Sequence, residues 1–75
     1  MKTIQENDKK SKITIQSVDR ALRIVAFIAE NNGTCGLSEI SRGMNLNKAT
    51  TYGLLSTLEQ HSYVELNPDT KKYHL

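Results

Sequence analysis

The sequence predicts a mainly α domain in which three helices precede a small β-hairpin. Three stretches place apolar residues three or four positions apart, as a buried helix stripe does, and after Ser62 the spacing changes to the alternation of strands. The chain has 75 residues, of which 37% are hydrophobic and 5% aromatic. Such a chain forms one small domain with an aliphatic core and, we expect, no cofactor cavity.

The first predicted helix follows Gln16, with Ser17 as its N-cap. We expect its buried stripe to comprise these residues: Val18, Ala21, Leu22, Val25, Ile28 and Ala29. Ile24 and Phe27 lie off this stripe, and we expect them to pack in the core; the alternative is contact with a second subunit. The NNG sequence at residues 31–33 ends the helix.

The second predicted helix is short and leads into a tight turn. Ser38 is its predicted N-cap, and Leu37, Ile40 and Met44 recur at helical spacing. Small Ser41 suits a close crossing with the next helix. Asn45 tolerates the left-handed backbone that such a turn requires.

The third predicted helix covers residues 47–60, with Asn47 as N-cap, and its two faces differ. One face is the core stripe: Thr51, Leu54, Leu55 and Leu58. The other carries small and polar residues: Lys48, Ala49, Tyr52, Gly53, Ser56 and Gln60. A glycine inside a helix costs about 1 kcal/mol relative to alanine, so Gly53 indicates close approach by a partner.

The hairpin closes the domain. Val64 and Leu66 can share a face with Tyr73 and Leu75, and the NPD sequence at residues 67–69 supplies the turn. Lys71 and Lys72 are expected at the tip of the hairpin.

This order of elements is that of a winged helix-turn-helix, in which the third helix enters the major groove of duplex DNA. The candidate DNA-binding residues are Asn47, Lys48, Ala49, Thr50, Tyr52, Gly53, Ser56, Lys71 and Lys72. Small residues admit the duplex, hydroxyl groups bond bases or phosphates, and lysines reach phosphates. The alternatives are solvated lysines and a Tyr52 ring folded back on the wing.

Charge alone does not argue for DNA binding. Residues 1–12 hold four lysines and two acidic residues, which accounts for the whole net charge of +2, so residues 13–75 are neutral. We expect residues 1–12 to be a flexible basic tail, either an arm that reaches the DNA backbone or a solubilising segment. The neutral remainder motivates an alternative function, a protein-interaction module that uses Ile24, Phe27 and Tyr52.

No catalytic or metal-ligating cluster is evident. The two histidines, His61 and His74, and the single cysteine, Cys35, lack the spacing of a zinc site, so we expect neither an enzyme nor a bound metal. Cys35 is expected to be a small buried residue rather than a redox sensor. The longest apolar run, residues 24–29, is too short to span a membrane, and no signal peptide is recognisable, so we expect a cytoplasmic protein.

Three segments resemble the N-terminal DNA-binding domain of IclR-type bacterial transcriptional regulators: QSVDRALRIVAFIAENNG, LSEISRGMNLNKATTYGLLSTLE and the final YHL. The resemblance covers nearly all of residues 16–75. It implies a double-stranded operator as ligand, a homodimer or dimer of dimers, and a small-molecule effector bound by a C-terminal domain absent from this chain. The regulator would act in the bacterial cytoplasm, at the nucleoid when bound.

The chain departs from the pattern of these regulators at four positions. Gly53 stands where arginine is frequent, which removes a side chain able to read a base or phosphate. Asn45, Ser62 and Lys71 stand where glycines are common. We expect the same fold with local variation, since asparagine serves in a turn and the added lysine suits a phosphate contact.

Overall fold

The computed structural model describes residues 12–75, which form three helices and a three-stranded sheet. The elements in chain order are α1 (Gln16–Glu30), β1 (Thr34–Gly36), α2 (Leu37–Met44), α3 (Lys48–Gln60), β2 (Glu65–Leu66) and β3 (Lys72–His74). The predicted fold class, a mainly α winged helix-turn-helix, is confirmed. What we expect of residues 1–11 falls outside the described part of the chain.

The sheet contains a strand that the sequence did not predict. The strand order is β1-β3-β2, and both pairings are antiparallel, so β3 is central. The additional strand is β1, which lies between the first two helices and in which Cys35 pairs with Tyr73. A strand this short owes its formation to a distant partner, so local periodicity cannot indicate it.

The core is aliphatic, as predicted, with one aromatic ring from the wing. Its buried members come from every helix and from the sheet: Ile24, Ile28, Cys35, Ile40, Leu55, Leu58, Val64 and Tyr73. Leu66 and Leu75 were expected to share the buried face of the hairpin, but they are 37% and 50% exposed. The wing therefore anchors to the helices through Val64 and Tyr73.

Helix α1 buries a different stripe from the one predicted. Ile24 and Ile28 are fully buried, whereas Val18 and Leu22 are 55% and 64% exposed. The predicted burial of Val18, Leu22 and Ala29 was therefore wrong, because the rest of the domain covers neither the first turns of α1, where Val18 and Leu22 lie, nor Ala29 in its last turn. Ile24 packs in the core as expected, so it is not available to a protein partner.

The predicted caps of α1 and α2 were also wrong. Helix α1 begins after Ile15, which provides no side-chain cap, and Ser17 lies inside its first turn. Helix α2 begins directly after Gly36, and the Gly36 N–H donates to Glu39 Oε1 at 2.7 Å. The carboxylate of Glu39 thus caps this end in place of the Ser38 hydroxyl.

A close contact joins α1 to α2. The Phe27 ring lies so near Gly43 that a Cβ added there would overlap the ring. Phe27 is partly buried and packs against the core, as predicted. Gly43 is therefore required by helix packing rather than by backbone conformation.

Candidate nucleic-acid interface

The turn between α2 and α3 is fixed by backbone and side-chain bonds. Asn45 adopts the predicted left-handed conformation, with φ 55° and ψ 47°. The Leu46 N–H donates to the Ser41 carbonyl at 3.0 Å, and Ser41 Oγ donates to the Leu46 carbonyl at 2.6 Å. Ser41 is buried at this crossing, so these two hydrogen bonds hold the end of α2 to the turn that leads into α3.

The start of α3 is held by Asn47, as predicted. Asn47 Oδ1 accepts a hydrogen bond from the Thr50 N–H at 2.7 Å, and the Asn47 carbonyl accepts one from Thr51 Oγ1 at 2.8 Å. Thr51 is fully buried, so it ties the capping residue to the core. These bonds therefore fix the first turn of α3 relative to the core.

One face of α3 is buried in the core, and this determines which residues the opposite face exposes to solvent. Thr51 and Leu55 are fully buried, Leu58 nearly so, and Leu54 is half-buried. Among the candidate residues of the helix, four are exposed: Lys48, Ala49, Tyr52 and Gly53. Thr50 and Ser56 are half-buried on its flanks. The Tyr52 side chain is 57% exposed, so its ring is available to a ligand.

Gly53 leaves open space on the exposed face. A Cβ added at Gly53 would meet no atom within 4 Å. Its carbonyl accepts a hydrogen bond from Thr57 Oγ1 at 3.0 Å, and its φ is not in the left-handed region. The fold therefore does not require glycine at position 53, whereas at position 43 the Phe27 ring leaves no space for a side chain.

Asn67 shapes the wing turn. Its Oδ1 accepts hydrogen bonds from the N–H groups of Asp69, at 2.8 Å, and Thr70, at 3.2 Å. Lys71 and Lys72 are exposed, but they follow the turn instead of forming its tip. Lys72 is the first residue of β3 and lies opposite Gly36 of β1, so the expectation that both lysines tip the hairpin was wrong.

Three residues that stand where similar regulators commonly have glycine adopt a left-handed backbone conformation. The φ angles are 55° for Asn45, 66° for Ser62 and 63° for Lys71. Glycine adopts such angles without a steric penalty, and asparagine tolerates them better than most residues. The backbone conformation is therefore less favourable at Ser62 and Lys71 than at Asn45.

The two shifted pKa values in the described chain belong to core groups. Burial raises the pKa of the Cys35 thiol, and nearby Glu39 adds to the effect. Burial also raises the pKa of the Tyr73 hydroxyl, with a further contribution from Glu59. Both groups are neutral at physiological pH, so Cys35 behaves as a packing residue rather than a reactive thiolate.

Within residues 12–75, no group of three or more potential metal ligands lies together. No helix in this part of the chain has the length and hydropathy of a membrane-spanning segment.

The domain matches known transcriptional regulators. The family model described as the IclR helix-turn-helix domain matches residues 17–68. The chain belongs to the IclR family. This assignment agrees with the resemblance seen in the sequence, and it makes the chain a helix-turn-helix DNA-binding domain of that family.

Curated relatives show the same relationship. The HTH-type transcriptional regulator XynR of Escherichia coli K12 is 43% identical over 61 residues, which cover 81% of this chain and 24% of the relative. The transcriptional repressor IclR of the same strain is 38% identical over 50 residues, 67% of this chain and 18% of the relative. A glycerol operon regulatory protein of Streptomyces coelicolor is 36% identical over 61 residues, again 81% and 24%.

The chain thus spans at most about a quarter of the length of these relatives. No solved structure matches this chain with statistical significance.

Proposed function

We propose that this IclR-type domain reads a specific sequence of duplex DNA by placing α3 in the major groove. The observation that supports the proposal is the exposed face of α3. This face carries small and polar residues, whereas the opposite face is buried in the core. A helix held in this way presents a fixed set of groups to base edges.

The first turn of α3 supplies several kinds of contact. Lys48 can reach a phosphate or a guanine, and the exposed Tyr52 can bond a phosphate or pack on a thymine methyl group. Asn47 and Thr50 lie beside the positively polarised N-terminus of the helix, which favours a nearby phosphate. Ala49 and Gly53 allow the backbone close to the duplex, and Ser56 can bond a base or phosphate.

The wing adds positive charge beside α3. Lys71 and Lys72 are exposed on the segment that follows the wing turn, where they can hold the flanking phosphate backbone or minor groove. They would strengthen binding without adding sequence preference.

The whole regulator would act as a dimer. Two α3 helices about 34 Å apart, or a multiple of that distance, would read a palindromic operator. The matched segment is 18–24% of the length of these relatives, which leaves room for a C-terminal domain that binds a small-molecule effector and changes the affinity for DNA. Such a protein would regulate transcription in the bacterial cytoplasm.

Selection from a random duplex library by the 75-residue chain tests this function. The selected duplex and a scrambled duplex are then titrated at two salt concentrations. We expect tighter binding of the selected duplex, with affinity falling as salt rises by a slope of about −0.9 per phosphate neutralised. If both duplexes bind equally, and still do so after a dimerising zipper is fused beyond Leu75, the proposal is wrong.

Lys48→Gln tests the placement of α3. We expect it to lower affinity for the selected duplex about 10-fold, because a phosphate or base contact is lost at the start of the helix. Gln60→Glu changes the charge of the chain by the same amount at the other end of α3 and serves as the matched control. Equal effects of the two variants would argue against insertion of the α3 N-terminus.

A further inference from the structure

A polar cleft of about 360 Å³ lies between the start of α1 and the helix-turn-helix turn. Four α1 residues line one side: Gln16, Asp19, Arg20 and Arg23. The end of α2 and the turn, residues 43–46, line the other. None of these α1 residues belongs to the predicted DNA-binding set.

The charges in the cleft are not balanced. Arg23 Nε donates to Asp19 Oδ2 at 2.8 Å, so these two side chains largely neutralise each other. Arg20 is half-buried, yet within residues 12–75 its guanidinium has neither an ion pair nor a hydrogen bond. Because Asp19 offsets one of the two arginines, the residues that line the cleft carry one net positive charge, which suits an anionic ligand.

The position of the cleft suggests which anion. The residues that line its far wall lead directly into Asn47 and the first turn of α3, the end that would enter the major groove. The phosphate backbone at the edge of that groove would pass close to this end. We infer that Arg20, with the Gln16 amide beside it, binds a backbone phosphate of the operator, an inference that rests on the proposed function.

Such a contact would complement α3. Arginine presents a planar fork of donors that matches two phosphate oxygens. A phosphate held on α1 and base edges read by α3 would fix the domain at two points, which sets its register on the duplex. Arg20 would thus be a positioning residue, and sequence preference would remain with α3.

A purely structural role for Arg20 makes a different prediction. The far wall of the cleft is the C-terminal end of α2, whose carbonyl groups carry partial negative charge. If Arg20 served only to balance that charge, its loss would lower thermal stability and leave the salt dependence of DNA binding unchanged.

The test compares variants of the 75-residue chain on the selected and scrambled duplexes. Arg20→Gln should weaken binding of both by a similar factor and reduce the salt slope by about 0.9, the loss of one phosphate contact. Arg20→Lys, which keeps the charge, should retain most of the slope. The double variant Asp19→Asn with Arg23→Gln removes the neighbouring ion pair without changing net charge, and it should leave the slope unchanged.

The outcomes separate this inference from the proposed function. Thermal unfolding of each variant identifies any that fail to fold, and Arg20→Lys then provides the comparison. If the unaltered chain prefers its selected duplex but Arg20→Gln keeps the full slope, the Arg20 contact is wrong and the function of α3 stands. If the unaltered chain shows no preference, even when dimerised, the proposed function fails and the inference fails with it.

Discussion

Helices α1 and α3 both look amphipathic in the sequence, but only α3 buries the stripe that its sequence predicts. In α3, Thr51 and Leu55 are fully buried. In α1, Val18 and Leu22 are exposed, and full burial is confined to Ile24 and Ile28 at the centre of the side that faces the domain.

The difference follows from what surrounds each helix. Each of the three helices packs against the other two, and in α3 the covered side coincides with the predicted stripe. The first turns of α1 extend beyond that cover. An apolar stripe in a sequence therefore marks surface that some partner can bury, and only the tertiary arrangement decides whether the partner lies within the same domain.

Two leucine truncations give the largest expected contrast. Leu55→Ala should lower the free energy of unfolding by about 2–5 kcal/mol, because it removes a fully buried side chain and leaves a cavity. Leu22→Ala, the matched change on exposed α1, should alter it by less than about 0.5 kcal/mol. Urea denaturation of the two variants measures both values. Similar losses would mean that α1 is covered in solution.

Two glycine substitutions should have opposite effects on stability. Gly43→Ala should destabilise the domain by about 1–2 kcal/mol, because the new methyl group displaces the Phe27 ring that joins α1 to α2. Gly53→Ala should stabilise it by about 1 kcal/mol, since the position is open and helical. Thermal unfolding at several urea concentrations gives both values.

The DNA affinity of the Gly53→Ala variant tests whether glycine at this position serves close approach to the duplex. If the backbone of α3 closely approaches the duplex, the stabilised Gly53→Ala variant should bind the selected duplex less tightly than the unaltered chain. Unchanged affinity would show that Gly53 is not a site of close approach.

A small effect is also expected for the ion pair on the exposed side of α1. Asp19→Asn removes an ion pair whose side chains are 41% and 70% exposed for Asp19 and Arg23. Surface pairs of this kind contribute little, so the free energy of unfolding should fall by less than about 1 kcal/mol, and by less still in high salt. A larger loss that persists in high salt would indicate that this part of α1 is packed.

Three features that depend on neighbouring residues were predicted correctly from the sequence. The left-handed turn at Asn45, the cap at Asn47 and the wing turn at Asn67 each use an asparagine whose conformational preference acts within a few residues. The exposed face of α3 could be predicted as well, because its core stripe is complete.

Features that depend on distant contacts were missed. Strand β1 exists because β3 pairs with it, and Gly43 is required because Phe27 packs there. Helix α2 begins directly after β1, at Gly36, so its cap depends on the pairing of β1 with β3. The Arg20 cleft combines residues from α1 with the turn, and no spacing in either segment indicates that they meet.

The central position of β3 also has a consequence for synthesis on the ribosome. Strands β1 and β2 are translated first, but they do not pair with each other, since each bonds only to β3. The helices can therefore begin to pack while the chain is still being made, whereas the sheet can form only after residues 72–74 have left the exit tunnel. A nascent chain stalled before that point would hold α3 without a finished wing.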